Sequence, residues 1–186
     1  SLPIEAVTIV LMLIGTTNFA VLQLLVTRKW KQAGRVSELR FMFLLLILFV
    51  PVVAFSLINN MGMSWGVGFR RALFDTSSAL STTGYSSMSY TNWPPLAVGV
   101  LILMMLIGGG IGSTAGGIKL SRVYIIIRAV WQNVQKRFLP VRSVQTSLYY
   151  KAQGRTIIDT PLVADTLGFV GSYMLLYIIG SLLMTI

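Results

Sequence analysis

The chain has 186 residues, of which 55% are hydrophobic and only 11% charged, and its mean hydropathy is +0.78. Because an average soluble domain is about 25% charged, this composition predicts a membrane protein and argues against a disordered chain or a soluble enzyme. The net charge is +10, but the basic residues lie between long apolar runs, which is not the pattern of a nucleic-acid interface. The sequence contains no cysteine and no histidine, which excludes disulfide frameworks, zinc sites and imidazole catalysis within these residues.

Four apolar stretches are long enough to be candidates for membrane-spanning helices, which need about 20 residues. They cover residues 7–26, 41–58, 96–127 and 167–186. Basic residues cluster directly after the first stretch, so the positive-inside rule directs its C-terminal end toward the cytoplasm. With alternating directions thereafter, every Lys and Arg except Arg70 and Arg71 falls on the cytoplasmic side. The predicted fold class is an all-α membrane protein.

The predicted organisation begins with a transmembrane helix over 1–27 and a basic cytoplasmic loop over 28–40. A complete pore unit over 41–137 follows. It comprises an outer helix over 41–60, a re-entrant pore helix over 68–80, a filter turn over 81–87 and an inner helix over 94–137 that is broken at 108–117. A cytoplasmic hairpin over 138–160 and a transmembrane helix over 161–186 complete the chain. Since the apolar run continues to the last residue and the first residue is serine, we expect an internal piece of a longer polypeptide, with the flanking helices belonging to neighbouring units.

The helix over 68–80 is too short to cross a bilayer. Phe69, Leu73 and Leu80 recur near a helical period, which indicates about three turns. Arg71 and Asp75 are four residues apart, so the simplest interpretation of Asp75 is a surface ion pair with Arg71.

The turn that follows this helix has the composition of a cation filter. Thr82, Thr83, Gly84 and Tyr85 agree at three positions with the Thr-Val-Gly-Tyr-Gly filter of potassium channels. Threonine hydroxyls and backbone carbonyls can replace the water around a cation, and glycine allows the backbone dihedrals that this arrangement requires. We therefore predict that these four residues bind the transported ion, potassium or sodium, and that the chain binds no other cofactor.

A second unusual segment interrupts the inner helix with six glycines in the ten residues 108–117. Each glycine inside a helix costs about 1 kcal/mol relative to alanine, so a break is favoured. Two alternatives are a helix-packing face of small residues and a phosphate-binding loop, although the lysine spacing does not fit the latter. Lys119 either begins the cytoplasmic part of the inner helix or projects into the ion path. The candidate functional residues of this segment are Gly108, Gly109, Gly110, Gly112, Gly116, Gly117 and Lys119.

Three sequence features resemble the Trk/Ktr/HKT superfamily of potassium and sodium uptake proteins, most closely its TrkH/KtrB type. They are the turn over 81–86, the glycine-rich stretch over 112–119 and the tripeptide Thr17-Asn18-Phe19. Ala115 departs from the family pattern, which often has glycine there.

The resemblance implies four pore units in one polypeptide around a single pore, with Gly84 as the filter glycine of the third unit. The stretch over 108–117 would then be an intramembrane gating loop below the filter. It also implies a location in the cell inner (plasma) membrane, a homodimer and a cytoplasmic nucleotide-binding RCK regulatory subunit.

Two other functions remain open on the sequence. One is a subunit of a tetrameric potassium channel, which would need one pore unit per chain and no further spans. The other is a non-conducting helix-bundle subunit, which would leave the 82–85 turn unexplained. An enzyme is not expected, because no two of the five acidic residues are positioned as a catalytic pair.

Overall fold

The computed structural model describes residues 2–138 and 148–185, and these are mostly helical. The N-terminal half contains α1 (Leu2–Thr16), α2 (Phe19–Val26), the short α3 (Trp30–Ala33), α4 (Ser37–Met61) and α5 (Trp65–Ser81). A 3₁₀ turn (Tyr90–Asn92) leads into α6 (Pro95–Ile107) and α7 (Leu120–Lys136). Two short strands, β1 (Leu148–Lys151) and β2 (Gly154–Ile157), precede α8 (Thr160–Leu183). We call residues 81–87 the turn and residues 108–119, between α6 and α7, the glycine segment.

Helix α4 organises the core of the fold. Its buried residues recur every three to four positions, so they form one continuous face against α5 and α6. The opposite face leaves large apolar side chains such as Ile47 and Phe55 exposed, as expected of a helix surrounded by lipid. The approach of α4 to α5 is close at Gly68, where an added Cβ would lie 2.6 Å from Cγ1 of Ile58. The buried residues of α4 in this core are Phe41, Met42, Leu45, Leu46, Val50, Val53, Ala54 and Leu57.

The region predicted as one transmembrane helix over 1–27 is not a single continuous helix, because α1 and α2 meet at an angle of 113°. In a continuous helix the Ala20 N–H would donate to the Thr16 carbonyl. Instead it donates to Oδ1 of Asn18 at 2.9 Å, and the Thr16 carbonyl accepts from the Gly110 N–H at 2.9 Å. The bend is therefore held by a local contact, in which Asn18 caps α2, and by a distant one, in which the glycine segment takes the Thr16 carbonyl.

Among the described residues, α4 and α8 are each long and apolar enough to cross a membrane. The bent pair α1 and α2 counts as a third crossing only when its two helices are taken together. Helix α6 is apolar but has 13 residues, so the predicted span over 96–127 is not one continuous helix. The interruption covers 108–119, two residues more than the predicted 108–117.

The hairpin pairs β1 and β2 in antiparallel register, with Leu148 opposite Ile157 and Lys151 opposite Gly154. Residues 139–147 of the predicted hairpin lie outside the described part of the chain. Helix α8 begins at a cap in which Asp159 Oδ1 accepts from the Leu162 N–H at 3.1 Å. It contacts α7, where the Arg122 guanidinium lies 3.6 Å from the centre of the Phe169 ring.

The arrangement of basic residues gives a testable membrane orientation. In the full-length protein without other cysteines, single-cysteine variants of Gln32 and Gln153 should resist a membrane-impermeant maleimide in intact cells, whereas Asn92→Cys should react. The reason is that Gln32 and Gln153 lie beside the basic inner segments, which favour the cytoplasm. Labelling after membrane permeabilisation provides the control for accessibility. Reaction of the Gln32→Cys variant in intact cells would contradict the orientation.

Candidate functional site

The turn begins where α5 ends. Thr82 adopts a left-handed conformation with φ of +53°, and the Thr83 N–H donates to the Ser78 carbonyl at 3.1 Å, which closes the helix end. A β-branched residue in this conformation is strained by roughly 1–2 kcal/mol, and such strain concentrates at functional sites. Gly84, two residues later, has φ of +80°. Thr83, Gly84 and Tyr85 are all exposed.

The predicted surface pair between Arg71 and Asp75 is wrong. Asp75 is only 1% exposed and accepts hydrogen bonds from the chain that returns after the turn. Its Oδ1 accepts from the Ser87 N–H at 3.0 Å and from the Tyr90 hydroxyl at 2.9 Å, and its Oδ2 accepts from the Ser87 hydroxyl. The Arg71 guanidinium instead contacts Sδ of Met88 at 3.0 Å. Asp75, on the helix before the turn, thus binds the chain that follows the turn.

The glycine segment is not helical, so it cannot form the continuous packing face that was one alternative for these glycines. Gly108 and Gly117 have φ of +63° and +73°, respectively. A Cβ on Gly117 would lie 2.8 Å from the Met105 carbonyl oxygen, and one on Gly108 would clash with the Gly116 carbonyl. At these two positions glycine is required both by the dihedral angle and by the close approach of the two limbs of the segment. We call residues 108–114 the first limb and residues 115–119 the second limb.

The first limb of the glycine segment is held by the C-terminal end of α1. The Thr114 N–H and hydroxyl donate to the Gly15 carbonyl at 3.1 and 3.0 Å, and the Gly110 N–H donates to the adjacent Thr16 carbonyl. Carbonyls in the last turn of a helix have no partner within that helix. The break between α1 and α2 therefore supplies acceptors to the segment.

The second limb is held by the end of α6, and the start of α7 bonds to the first limb. The Ile118 N–H donates to the Leu106 carbonyl at 2.8 Å, and the Leu120 N–H donates to the Gly109 carbonyl at 2.9 Å. Lys119 is partly buried, and its Nζ donates to the Ala115 carbonyl at 2.5 Å. The lysine side chain thus folds back onto the glycine segment.

One hydrogen bond joins the two unusual segments directly. The Gly116 N–H donates to Oγ1 of Thr82 at 2.7 Å. Beside this contact lies an open cavity of about 570 Å³ between the turn, α1 and the glycine segment. Its lining includes Thr83 and Tyr85 from the turn and Thr114 from the glycine segment.

A further polar cluster lies on the other side of the glycine segment. Glu38, in the first turn of α4, accepts from the Ile111 N–H at 3.3 Å, from Nδ2 of Asn18 at 3.3 Å and from the Tyr149 hydroxyl at 2.9 Å. Burial raises the pKa of the Tyr149 hydroxyl, and the neighbouring Glu38 raises it further, so this hydroxyl stays protonated as a donor. We call these four residues the Glu38 cluster.

The structure thus brings Thr82, Thr83, Gly84 and Tyr85 into one turn, and it brings Gly116 against that turn. The roles of Asp75 and Glu38 were missed by the sequence reasoning. The available signal for Glu38 was that it is the single acidic residue in a strongly basic stretch.

Comparison with known proteins gives a consistent result. The family described as TrkH, cation transport protein, matches residues 2–184. The crystal structure of the potassium transporter TrkH from Vibrio parahaemolyticus superimposes with a TM-score of 0.79 at 26% sequence identity, covering 96% of this chain and 38% of that one.

Two curated relatives are likewise named as Trk potassium uptake proteins. The Trk system potassium uptake protein TrkH of Halomonas elongata is 26% identical over 140 residues, which are 75% of this chain and 28% of that protein. The Trk system potassium uptake protein TrkG of Escherichia coli is 36% identical over 118 residues, which are 62% and 24% of the two chains. The chain therefore spans well under half the length of these relatives. Because the family match covers nearly all of its residues, the chain belongs to the TrkH family of cation transport proteins.

Proposed function

We propose that the chain forms one pore unit of a potassium uptake protein, with the turn as its selectivity filter and the glycine segment as a gate directly beneath it. The observation that carries this proposal is the hydrogen bond from the Gly116 N–H to Oγ1 of Thr82. It links the two segments whose composition is the most unusual in the chain. A cation that leaves the turn on this side meets the glycine segment next.

The filter function follows from the position of the turn at the end of α5. The C-terminal end of a helix carries a partial negative charge, which favours a cation at the turn. Thr83 and Gly84 are exposed, so their oxygens are available to replace water around a partly dehydrated ion. The buried Asp75 holds the returning limb, which keeps the coordinating oxygens at fixed positions.

The gate function follows from the hydrogen bonds of the glycine segment. Non-helical backbone at membrane depth persists only where protein or a water-filled cavity surrounds it. Here the partners come from α1, α6 and α7, three separate helices, so a relative shift of these helices changes the position of the segment. The Lys119 side chain adds a positive charge, which opposes cation passage.

The names of the relatives favour potassium as the ion. By the resemblance described above, the remaining pore units belong to the same polypeptide, two copies form a homodimer in the cell inner membrane, and a cytoplasmic RCK subunit regulates uptake. In this arrangement α8, whose apolar side chains are mostly exposed, packs against the next unit.

The filter assignment predicts the effect of side chains at Gly84. In the full-length protein, Gly84→Ser should lower the preference for potassium over sodium about tenfold, because a side chain at positive φ costs roughly 1–2 kcal/mol and disturbs the carbonyl positions. Gly84→Asp should abolish growth of uptake-deficient cells at low potassium. Gly66→Ser, at an exposed position of the same α5 with open space around it, is the control and should behave as wild type. Undiminished uptake by Gly84→Asp would remove the turn from the filter.

The gate assignment predicts a charge-specific effect at Lys119. Lys119→Met removes both the positive charge and the bond to the Ala115 carbonyl, so ion flux should rise several-fold, as in a pore with a lowered electrostatic barrier. Lys119→Arg keeps the charge and should conduct nearly as wild type. Lys136→Met removes the same charge at an exposed position near the end of α7 and should leave flux unchanged. Equal flux in all three variants would show that Lys119 does not obstruct the ion.

The Asp75 network predicts that selectivity depends on a residue that does not line the path. Tyr90→Phe removes one of the donors to Asp75, and such a bond to a charged group is worth about 1.5–3 kcal/mol. Potassium preference should therefore fall while the protein still reaches the membrane. Ser89→Ala, whose hydroxyl bonds only within the adjacent exposed turn, is the matched control. Equal ion preference in both variants, measured by competitive uptake, would contradict the role of Asp75.

A further inference from the structure

The Glu38 cluster joins three segments that are far apart in the sequence. Its Glu38 carboxyl group is only 4% exposed. One oxygen accepts from the Ile111 N–H of the glycine segment and from the Tyr149 hydroxyl of β1, and the other accepts from Nδ2 of Asn18 at the bend between α1 and α2. The cluster therefore lies where the glycine segment, the bend and the cytoplasmic hairpin meet.

The hairpin has a second attachment at the same place. The Tyr150 N–H donates to Oγ of Ser37 at 3.1 Å, so adjacent residues of β1 bond to adjacent residues at the start of α4. Tyr149 is 1% exposed, and its ring packs against that of Tyr124 in α7 at 5.7 Å between centres. The hairpin is thus fixed to the membrane-embedded part of the chain and is not a free cytoplasmic loop.

The cluster also lies close to Gly110 of the glycine segment. A Cβ added to Gly110 would lie 3.3 Å from the Asn18 nitrogen and 3.4 Å from Oε2 of Glu38. A side chain at position 110 would therefore press against Asn18 and Glu38. Loss of a donor to a buried carboxyl group is unfavourable, so the positions of the hairpin and the glycine segment depend on each other.

We propose that Glu38 is a positioning residue that couples the cytoplasmic hairpin to the gate, so that displacement of Tyr149 loosens the glycine segment at Ile111. This inference rests on the proposed function of the glycine segment as a gate. A polar cavity of about 260 Å³ lies at the junction, lined by the residues of the cluster together with Gly112 and Gln153, among others. It provides space into which the segment can move when the hairpin shifts.

The experiment separates coupling from simple stability by means of two neighbouring tyrosines. In the full-length protein without other cysteines, Ile111→Cys reports on the glycine segment, because Ile111 is exposed and contributes only its backbone to the cluster. Its rate of reaction with a maleimide is measured in inside-out vesicles. Tyr149→Phe removes the hydroxyl that bonds to Glu38, whereas Tyr150→Phe removes a hydroxyl outside the cluster and serves as the matched control.

We expect Tyr149→Phe to increase the labelling rate at residue 111 about tenfold, the effect of one lost hydrogen bond to a charged group, and to raise ion flux without changing ion preference. Tyr150→Phe should change neither quantity. Glu38→Gln keeps a carbonyl acceptor and should resemble wild type more closely than Glu38→Ala does. Combining Glu38→Ala with Tyr149→Phe should add little to the larger single effect, because both remove the same contact.

The labelling rate does not depend on transport, so failure of the coupling and failure of the proposed function are distinguishable. Labelling that is the same in Tyr149→Phe and Tyr150→Phe would overturn the coupling, whatever the Gly84 variants show. Faster labelling in Tyr149→Phe with wild-type flux would support the junction at Glu38 but would contradict the gate. Because Tyr149→Phe retains the buried ring, the test remains decisive even if Glu38→Ala does not fold.

Discussion

The structure depends on one constraint, which is that the backbone of the glycine segment must find hydrogen-bond partners outside itself. Between α6 and α7 the chain gives up helical bonds, and a buried backbone group without a partner costs about 1–3 kcal/mol. The ends of other helices meet this need, because their last carbonyls are free to accept. The carbonyls of Gly15 and Thr16 bind the first limb and that of Leu106 binds the second. The bend between α1 and α2 and the break between α6 and α7 therefore stabilise each other.

Two buried acidic residues extend the same principle to side chains. Asp75 collects donors from the limb that follows the turn, and Glu38 collects donors from the glycine segment, the bend and β1. Each carboxyl group accepts several hydrogen bonds, which is how a buried acid is made tolerable without an adjacent basic partner. In both cases the acid lies on a regular helix and at least one donor lies on irregular chain, which is Ser87 for Asp75 and Ile111 for Glu38. The helix thus provides a fixed reference for a segment that has no regular structure of its own.

The sequence predicted the features that local composition determines. Long apolar runs predicted α4 and α8, and the density of glycine predicted the break in the inner helix. The predictions from sequence failed where contacts between distant segments compete with local contacts. The run 7–26 is mostly apolar, yet the Gly110 N–H, from a segment far along the chain, binds the Thr16 carbonyl where the helix bends. Likewise Arg71 is the nearest charge to Asp75 along the helix, but the donors of Ser87 and Tyr90, which only the turn brings back, are better placed. The contacts of Glu38 depend on three segments at once, which periodicity does not encode.

The two non-helical segments differ in what holds them, and this difference fits the roles proposed for them. The turn is closed by bonds within one stretch of chain, from α5 to the 3₁₀ turn, so it moves as a unit with α5. The glycine segment instead bonds to α1, α6, the start of α4 and, through Glu38, the hairpin. The glycine segment and the turn are joined directly by the hydrogen bond between Gly116 and Thr82. In the roles proposed here, the gate takes its hydrogen-bond partners from several elements that can shift relative to one another, whereas the filter takes its partners mainly from α5 and from the chain that returns to it.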